Sequence, residues 1–444
     1  MTDVGLLRRS FDFLKMVLLE KGHLIYWCNI PSFIHTQRRV RRATSGDKIR
    51  IGFILQVPNN WAVVESLYLA AKADPGVEPV ILLMPEVDFQ YYLRMTGVHP
   101  ESVLRYAEGH FTESDRCISV YDPKSGAWTD PKSLALDYVF IPRPYDTYLP
   151  RPYRASRLRR ITRVAYVPYS TPLMDDWNLM YNMHFIRNLS LIFCEKQSSY
   201  DYVRARLRPT VRSGDTKVFL TGFPKFDLNT AASDTESPLW PREKSREILR
   251  VIWTPRWTTD PRLGATSFFT YREEMPRLAR ECDHIDLVFR PHPLAFENFL
   301  ARGEMTEDEV TAYLAQFSPE HHLALDTSRT YYDLLWSSDV LISDVSSMLL
   351  DYLMTGKPIL FCPTPAGKTT TEDPRFAIRD ILDGLYIVRS FEEIRQTLAM
   401  LQGGVDPKRE TRLRLAREMH RDGHIGEDIL GLIKKDYFGA PCPT

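Results

Sequence analysis

The sequence predicts an α/β protein built from two doubly wound parallel-sheet domains facing a cleft. Three observations point there. Short apolar runs alternate with helical stretches along most of the chain, and each run ends in a turn-forming or polar group. The series then starts afresh after DLNTAASDTESP (227–238), where composition turns small and polar. Finally, 444 residues are too many for one ordinary core, and two domains of about 180–220 residues are the natural division. The expected boundaries are 1–47 for an N-terminal helical and basic segment, 48–226 for a first α/β domain, and 227–444 for a second α/β domain with terminal helices.

The first series opens at KIRIGFILQV (48–57), a buried strand, followed by the Ala-rich helical stretch WAVVESLYLAAKA (61–73) and the strand EPVILLMP (78–85). Further strands are expected in LDYVFIPRPYD (136–146), RVAYVPYS (163–170), LSLIFCE (189–195) and KVFLTGFP (217–224). The second series runs ILRVIWTPRWTTD (248–260), a helix near 271–282, IDLVFRPHP (285–293), HLALD (322–326), a helix near 329–337, VLISDVSS (340–347), KPILFCP (357–363) and GLYIVRS (384–390), with two C-terminal helices after it. GT-B glycosyltransferases have this architecture. No GxGxxG occurs, so an NAD-binding Rossmann domain is not supported.

Composition narrows the function classes. Lys+Arg and Asp+Glu balance at 57 each, which leaves no whole-molecule electrostatic footprint for nucleic acid. Six cysteines are scattered without a CxxC pair or clustered histidines, so neither a disulfide framework nor a metal site is expected, and no cofactor is implied. Reduced thiols fit a cytoplasmic protein. Asp12, Lys15, Glu20 and Lys21 interrupt the apolar N-terminal stretch, which argues against a spanning helix or signal peptide. Leu6, Phe11, Phe13, Leu14, Val17, Leu18 and Leu19 form a roughly helical stripe there, followed by QRRVRR (37–42). One reading is a peripheral membrane contact with arginines towards anionic lipid. The other, favoured because helical stripes usually pack on protein, is a helix on the chain's own surface followed by an exposed linker.

In open α/β sheets ligands collect at the carboxyl ends of the strands. Three second-series strands end in loops rich in polar and charged groups: Thr254-Pro255-Arg256-Trp257-Thr258, Arg290-Pro291-His292-Pro293, and Ser343-Asp344-Val345-Ser346-Ser347. Two guanidiniums, an imidazole and several hydroxyls are the inventory needed to hold a diphosphate. Ser346 and Ser347 fall at the expected start of a helix, where free N–H groups favour an anion; plain capping explains such serines equally well. His292, fixed between two prolines, is the expected acid/base or charge-stabilising group. Arg290 and Arg256 are expected at phosphate oxygens, although a surface ion pair accounts for Arg290 too. Trp253 and Trp257 suit either base stacking or core packing.

TPRW, RPHP and SDVSSMLLDYLMTGKPILF together resemble the C-terminal domain of the CDP-glycerol glycerophosphotransferase family, the teichoic-acid primases and polymerases. The family pattern runs approximately PTWR, RxHP and SDxSSxxxDxxxxxKPIxF, and TGFPKFD (221–227) looks like its TGYPRND. The resemblance covers about residues 185–365. It implies a GT-B fold, a donor-binding second domain and an acceptor-side first domain, peripheral association with the inner membrane face, and transfer of glycerol or ribitol phosphate from a CDP-linked donor to a polymer or lipid-linked acceptor. It matches His292 to the family histidine and Ser343, Ser346 and Ser347 to the phosphate-binding loop. The first domain departs from the pattern: family WHGTPLK corresponds to PYSTPLM (168–174), which puts Tyr169 at the histidine expected to act as base and Met174 at the lysine. Tyrosine is a poor base at neutral pH, so His184, Asp175 and Asp176 enter as substitutes by proximity. Two other readings follow, a nucleotide-sugar glycosyltransferase and a nucleotide-binding scaffold without catalysis. A UDP-sugar 2-epimerase is disfavoured because the carboxylates its chemistry needs are not evident.

Overall fold

The computed structural model describes residues 21–43, 48–90, 94–172, 177–328, 331–364, 379–420 and 423–439. They form two compact units, one within Met1–Thr171, Trp177–Asp227 and Gly423–Thr444, the other within Pro172–Asp176 and Leu228–Asp422.

In the first unit, β1 (Ile49–Leu55), β2 (Val77–Leu83), β3 (Cys117–Ser119), β4 (Tyr138–Phe140), β5 (Arg163–Tyr166), β6 (Leu191–Cys194) and β7 (Lys217–Leu220) pair in parallel in the order β7-β6-β5-β4-β1-β2-β3. Their near-continuous apolar character follows from burial on both faces; six of the seven β1 residues are buried. The second sheet orders β8 (Leu249–Thr254), β9 (Ile285–Phe289), β10 (Leu323–Leu325), β11 (Val340–Ser343), β12 (Ile359–Phe361) and β13 (Tyr386–Ile387) as β10-β9-β8-β11-β12-β13, again parallel. In each sheet the first strand lies inside. The chain winds outward from it, then returns to its other side, so the winding reverses between β1 and β4 and between β8 and β11. Two small antiparallel hairpins, Glu86–Gln90 with Arg94–His99 and Tyr121–Asp122 with Ala127–Trp128, were not foreseen.

Six helices matter below: α1 (Lys21–Ala43), α2 (Ala62–Ala73), α3 (Met348–Leu353), α4 (Phe391–Gln402), α5 (Arg409–His420) and α6 (Ile425–Tyr437). The C-terminus thus carries three helices rather than the expected two. The last, assigned by sequence to the second domain, belongs instead to the first unit. The Asp227 carboxylate accepts the Ile425 and Gly426 N–H groups at 3.1 and 2.8 Å, orphan donors of the α6 first turn. Gly426 lies so close to α2 that a Cβ there would meet the Ser66 carbonyl carbon at 2.5 Å. Near the other end, Asp436 is buried, accepts from Tyr138 Oη at 2.7 Å and Arg163 Nη1 at 3.0 Å, and forms an ion pair with Lys217 Nζ at 2.8 Å. A buried carboxylate needs such partners.

The N-terminal expectation divides. Residues 1–20, with the whole of the apolar stripe, lie outside the described residues. QRRVRR is not a linker but the end of α1, whose Phe33, Gln37 and Val40 are buried at helical spacing. The Gln37 amide donates to the Arg159 carbonyl at 3.1 Å, so this face packs on the first unit.

Candidate active site

The second sheet supplies the geometry. β8 and β11 flank the reversal of winding, the place where open α/β sheets bind ligands beyond the strand ends. The TPRW loop leaves β8, the SDVSS loop leaves β11, and RPHP leaves the adjoining β9.

Arg256 ties two of these loops, its Nη1 donating to the Val345 carbonyl at 2.5 Å. Asp344, fully buried, ties a third segment: its Oδ2 accepts from the Ser267 N–H at 2.8 Å and the Ser267 hydroxyl at 2.9 Å. Burial raises the Asp344 carboxyl to about 6, against the opposing effect of these donors and of the Arg256 backbone. Trp257, half-buried against the core, places its ring 6.0 Å from the His292 imidazole. Trp253 is a core residue with no exposure.

His292 opens to solvent at the loop surface. Its Nδ1 accepts the Leu294 N–H at 3.1 Å, which leaves the proton of the neutral ring on Nε2. Lost hydration on the loop side, then the positive charges of Arg256 and Arg290, push its pKa down to about 4. At neutral pH the free protein therefore presents an uncharged N–H donor. A bound phosphate would oppose that shift and favour the imidazolium.

The remaining predicted residues separate. Arg290 does not project freely: it pairs with buried Asp326, donates to the Ser328 carbonyl at 3.0 Å and lies 4.4 Å from the Tyr331 ring centre. Tyr331 in turn donates to Asp351 Oδ2 at 2.8 Å. Arg290 thus fixes the RPHP loop and contributes its field. Ser343 is buried, and its hydroxyl donates to the Thr254 carbonyl at 2.8 Å across β8 and β11; it braces the sheet and offers nothing to a ligand. Ser346, not Ser347, is the capping side chain, accepting the Met348 N–H at 3.2 Å. The Ser347 hydroxyl, half-buried, makes no hydrogen bond among the described residues. With only six residues in α3, the aligned dipole is small, so an anion here relies on side chains more than on the helix.

Sequence reasoning passed over Asp344, Asp326, Tyr331 and Asp351 as site-building residues. Asp344 and Asp351 stood inside the quoted motif, and a carboxylate embedded in an apolar run was the available signal.

On the first sheet, Tyr169 follows β5 and its hydroxyl is 2.7 Å from that of Tyr145, which follows β4. His184 lies in Met183–Ile186, which leads into the amino end of β6. It is at the wrong edge to serve beside Tyr169. Met174, Asp175 and Asp176 lie outside the described residues.

A family model described as CDP-glycerol:poly(glycerophosphate) glycerophosphotransferase matches residues 198–399, which hold all the second-sheet loops above. No curated protein matches the sequence. Among solved structures, the wall teichoic acid polymerase TagF is similar with a TM-score of 0.55 at 13% identity, over 99% of both chains. A UDP-N-acetylglucosamine 2-epimerase described as putative, from Listeria monocytogenes, gives 0.57 at 13%, over 89% of this chain and 98% of that one. The S. aureus MnaA–UDP co-structure gives 0.57 at 14%, over 89% and 100%. At such identities these structures share the fold, two parallel-sheet α/β domains of GT-B-like type. Residues 198–399 thus match the CDP-glycerol:poly(glycerophosphate) glycerophosphotransferase family model, and the fold that carries them is the one shared with these structures.

Proposed function

We propose that the chain moves glycerol or ribitol phosphate from a CDP-linked donor to a hydroxyl of a cell-surface polymer or lipid-linked acceptor. The observation that supports this most is the meeting of the TPRW, RPHP and SDVSS loops at the winding reversal of the second sheet, inside the region of the family match. In the reaction, the acceptor oxygen bonds to the β-phosphorus and the bond from that phosphorus to the bridging oxygen breaks. CMP leaves with the electron pair, and the acceptor proton passes to a base. His292 Nε2–H donates to a phosphoryl oxygen as charge develops, Arg256 and Arg290 supply positive potential, and the Ser347 hydroxyl donates to a phosphate oxygen. Ser346 caps α3 beside it.

The test is incubation of the purified protein with CDP-glycerol, CDP-ribitol and UDP-sugars, followed by identification of the released nucleotide. CMP supports the reading. UDP moves the chain to the nucleotide-sugar class, and binding of CDP-glycerol without turnover makes it a scaffold.

The same proposal includes work at the inner membrane face. Exposed Trp27 of α1 supports it, as aromatic side chains suit the headgroup level of a membrane. Among the described residues no helix is long and apolar enough to cross a membrane. Sedimentation with phosphatidylglycerol vesicles, absent with phosphatidylcholine, is the expected result.

A further inference from the structure

The first sheet has its own winding reversal, between β1 and β4, and the loops that leave those strands carry residues no motif singled out. Buried Gln56, one residue past β1, donates its amide to the Tyr148 carbonyl at 2.9 Å and the Pro85 carbonyl at 3.2 Å. That fixes the loop after β4. In this loop the Arg143 guanidinium lies 5.6 Å from the ring centres of both Tyr145 and Tyr148. Tyr145 hydrogen-bonds to Tyr169 from the neighbouring strand end.

Arg143 is half-buried, yet it forms no ion pair with a carboxylate among the described residues. The nearby Asp146 is engaged elsewhere: its Oδ1 accepts the Ala155 N–H at 2.5 Å, and it faces Arg154 and Arg187. A guanidinium held between aromatic faces keeps its forked donors oriented. Tyr148 is 39% exposed, so an aromatic face is open beside it. Planar rings suit the C–H faces of a polyol, their hydroxyls suit its oxygens, and Arg143 suits a phosphate or phosphodiester.

We infer that Arg143, Tyr145, Tyr148 and Tyr169 form a binding site for the anionic polyol-phosphate end of the acceptor. This rests on the transfer reading above and names the chemistry of its acceptor. Tyr169 acts here as a positioning residue, holding Tyr145 through the hydroxyl pair.

The probe is sn-glycerol 3-phosphate, titrated calorimetrically into the full chain, with glycerol and inorganic phosphate as separate arms. Arg143→Gln is expected to weaken its binding about tenfold or more, with His292→Ala and CDP-glycerol affinity in Arg143→Gln unchanged. Tyr148→Ser, at an exposed ring, is the second variant and is expected to weaken binding several-fold. Glycerol alone and phosphate alone should each bind more weakly than the ester. Equal affinity in wild type, Arg143→Gln and Tyr148→Ser overturns the inference. So does loss of binding in His292→Ala alone, which would place the ester at the second sheet. Failure of the wild type to bind CDP-glycerol counts against the transfer reading and leaves the Arg143 result standing.

Discussion

At the scale of single residues, the site separates groups that face a ligand from groups that hold those in place. His292 belongs to the first kind. Its pKa is lowered to about 4 from an ordinary 6.5, so the free protein should show a His292 carbon-13 resonance that titrates well below pH 6.5, assigned by its absence in His292→Ala. The unfolded chain binds this proton between the two values and the folded one does not. The His292 contribution to stability is therefore present above about 6.5 and lost as pH falls towards 4. A midpoint at or above 6.5 would show that neither lost hydration nor the two guanidiniums depress the ring. His292→Ala should lower turnover about 10²-fold or more while melting at nearly the wild-type temperature. The serines should divide likewise: Ser346→Ala costs about 1 kcal/mol of stability as a lost cap, whereas Ser347→Ala weakens CDP-glycerol binding at almost unchanged stability. The reverse assignment in melting and binding curves would restore Ser347 as the cap. Which of two adjacent serines turns inward was not readable from the motif, because that depends on the φ/ψ path entering α3.

At the scale of elements, loops rather than helices make the second-sheet site. Asp344 shows how: one buried carboxylate holds the Thr266–Ser267 segment against the β11 loop. Its pKa of about 6 exceeds the ordinary 3.8, so the folded protein retains this proton more tightly than the unfolded chain. The associated stability is fully present below about 4 and is lost as pH rises through 6. A shift of this size corresponds to about 3 kcal/mol. Denaturation of Asp344→Asn between pH 4 and 7 should give a flatter stability profile than wild type; parallel profiles would mean that Asp344 titrates normally. Strand positions were readable because parallel strands buried on both faces leave continuous apolar runs. Gly356, just beyond α3, takes a φ of +67°, the left-handed turn that suits a glycine past a helix end. The two antiparallel hairpins left no comparable trace, since their short strands mix polar and apolar residues. Arg290 and Ser343 looked like ligand contacts because sequence places them at strand ends without revealing Asp326 or the Thr254 carbonyl as their partners.

At the scale of the whole molecule, the division of the chain into two sheets was legible, but the course of its last helix was not. α6 reads as one more amphipathic helix, and what commits it to the first unit is tertiary: Asp227 at its start, Asp436 near its end, and a glycine at closest approach to α2. Gly426→Ala should destabilise the protein by about 1–3 kcal/mol, the usual cost of overpacking, seen as a lower urea midpoint. An unchanged midpoint would show that α6 docks less closely than its backbone contact with Ser66 requires. Tyr169 marks the place where family resemblance and residue chemistry part. Its hydroxyl pair with Tyr145 gives it a local role that does not require a base.

The central claim is that the three second-sheet loops act on a CDP-linked donor. It is tested most directly by supplying CDP-glycerol with a lipid-linked or polymeric acceptor and quantifying the nucleotide released by wild type and His292→Ala. Acceptor-dependent CMP is expected from the wild type, with a loss of about 10²-fold or more in the folded variant. Release of equal CMP by both proteins, or of UDP from a UDP-sugar in place of CMP, would contradict it.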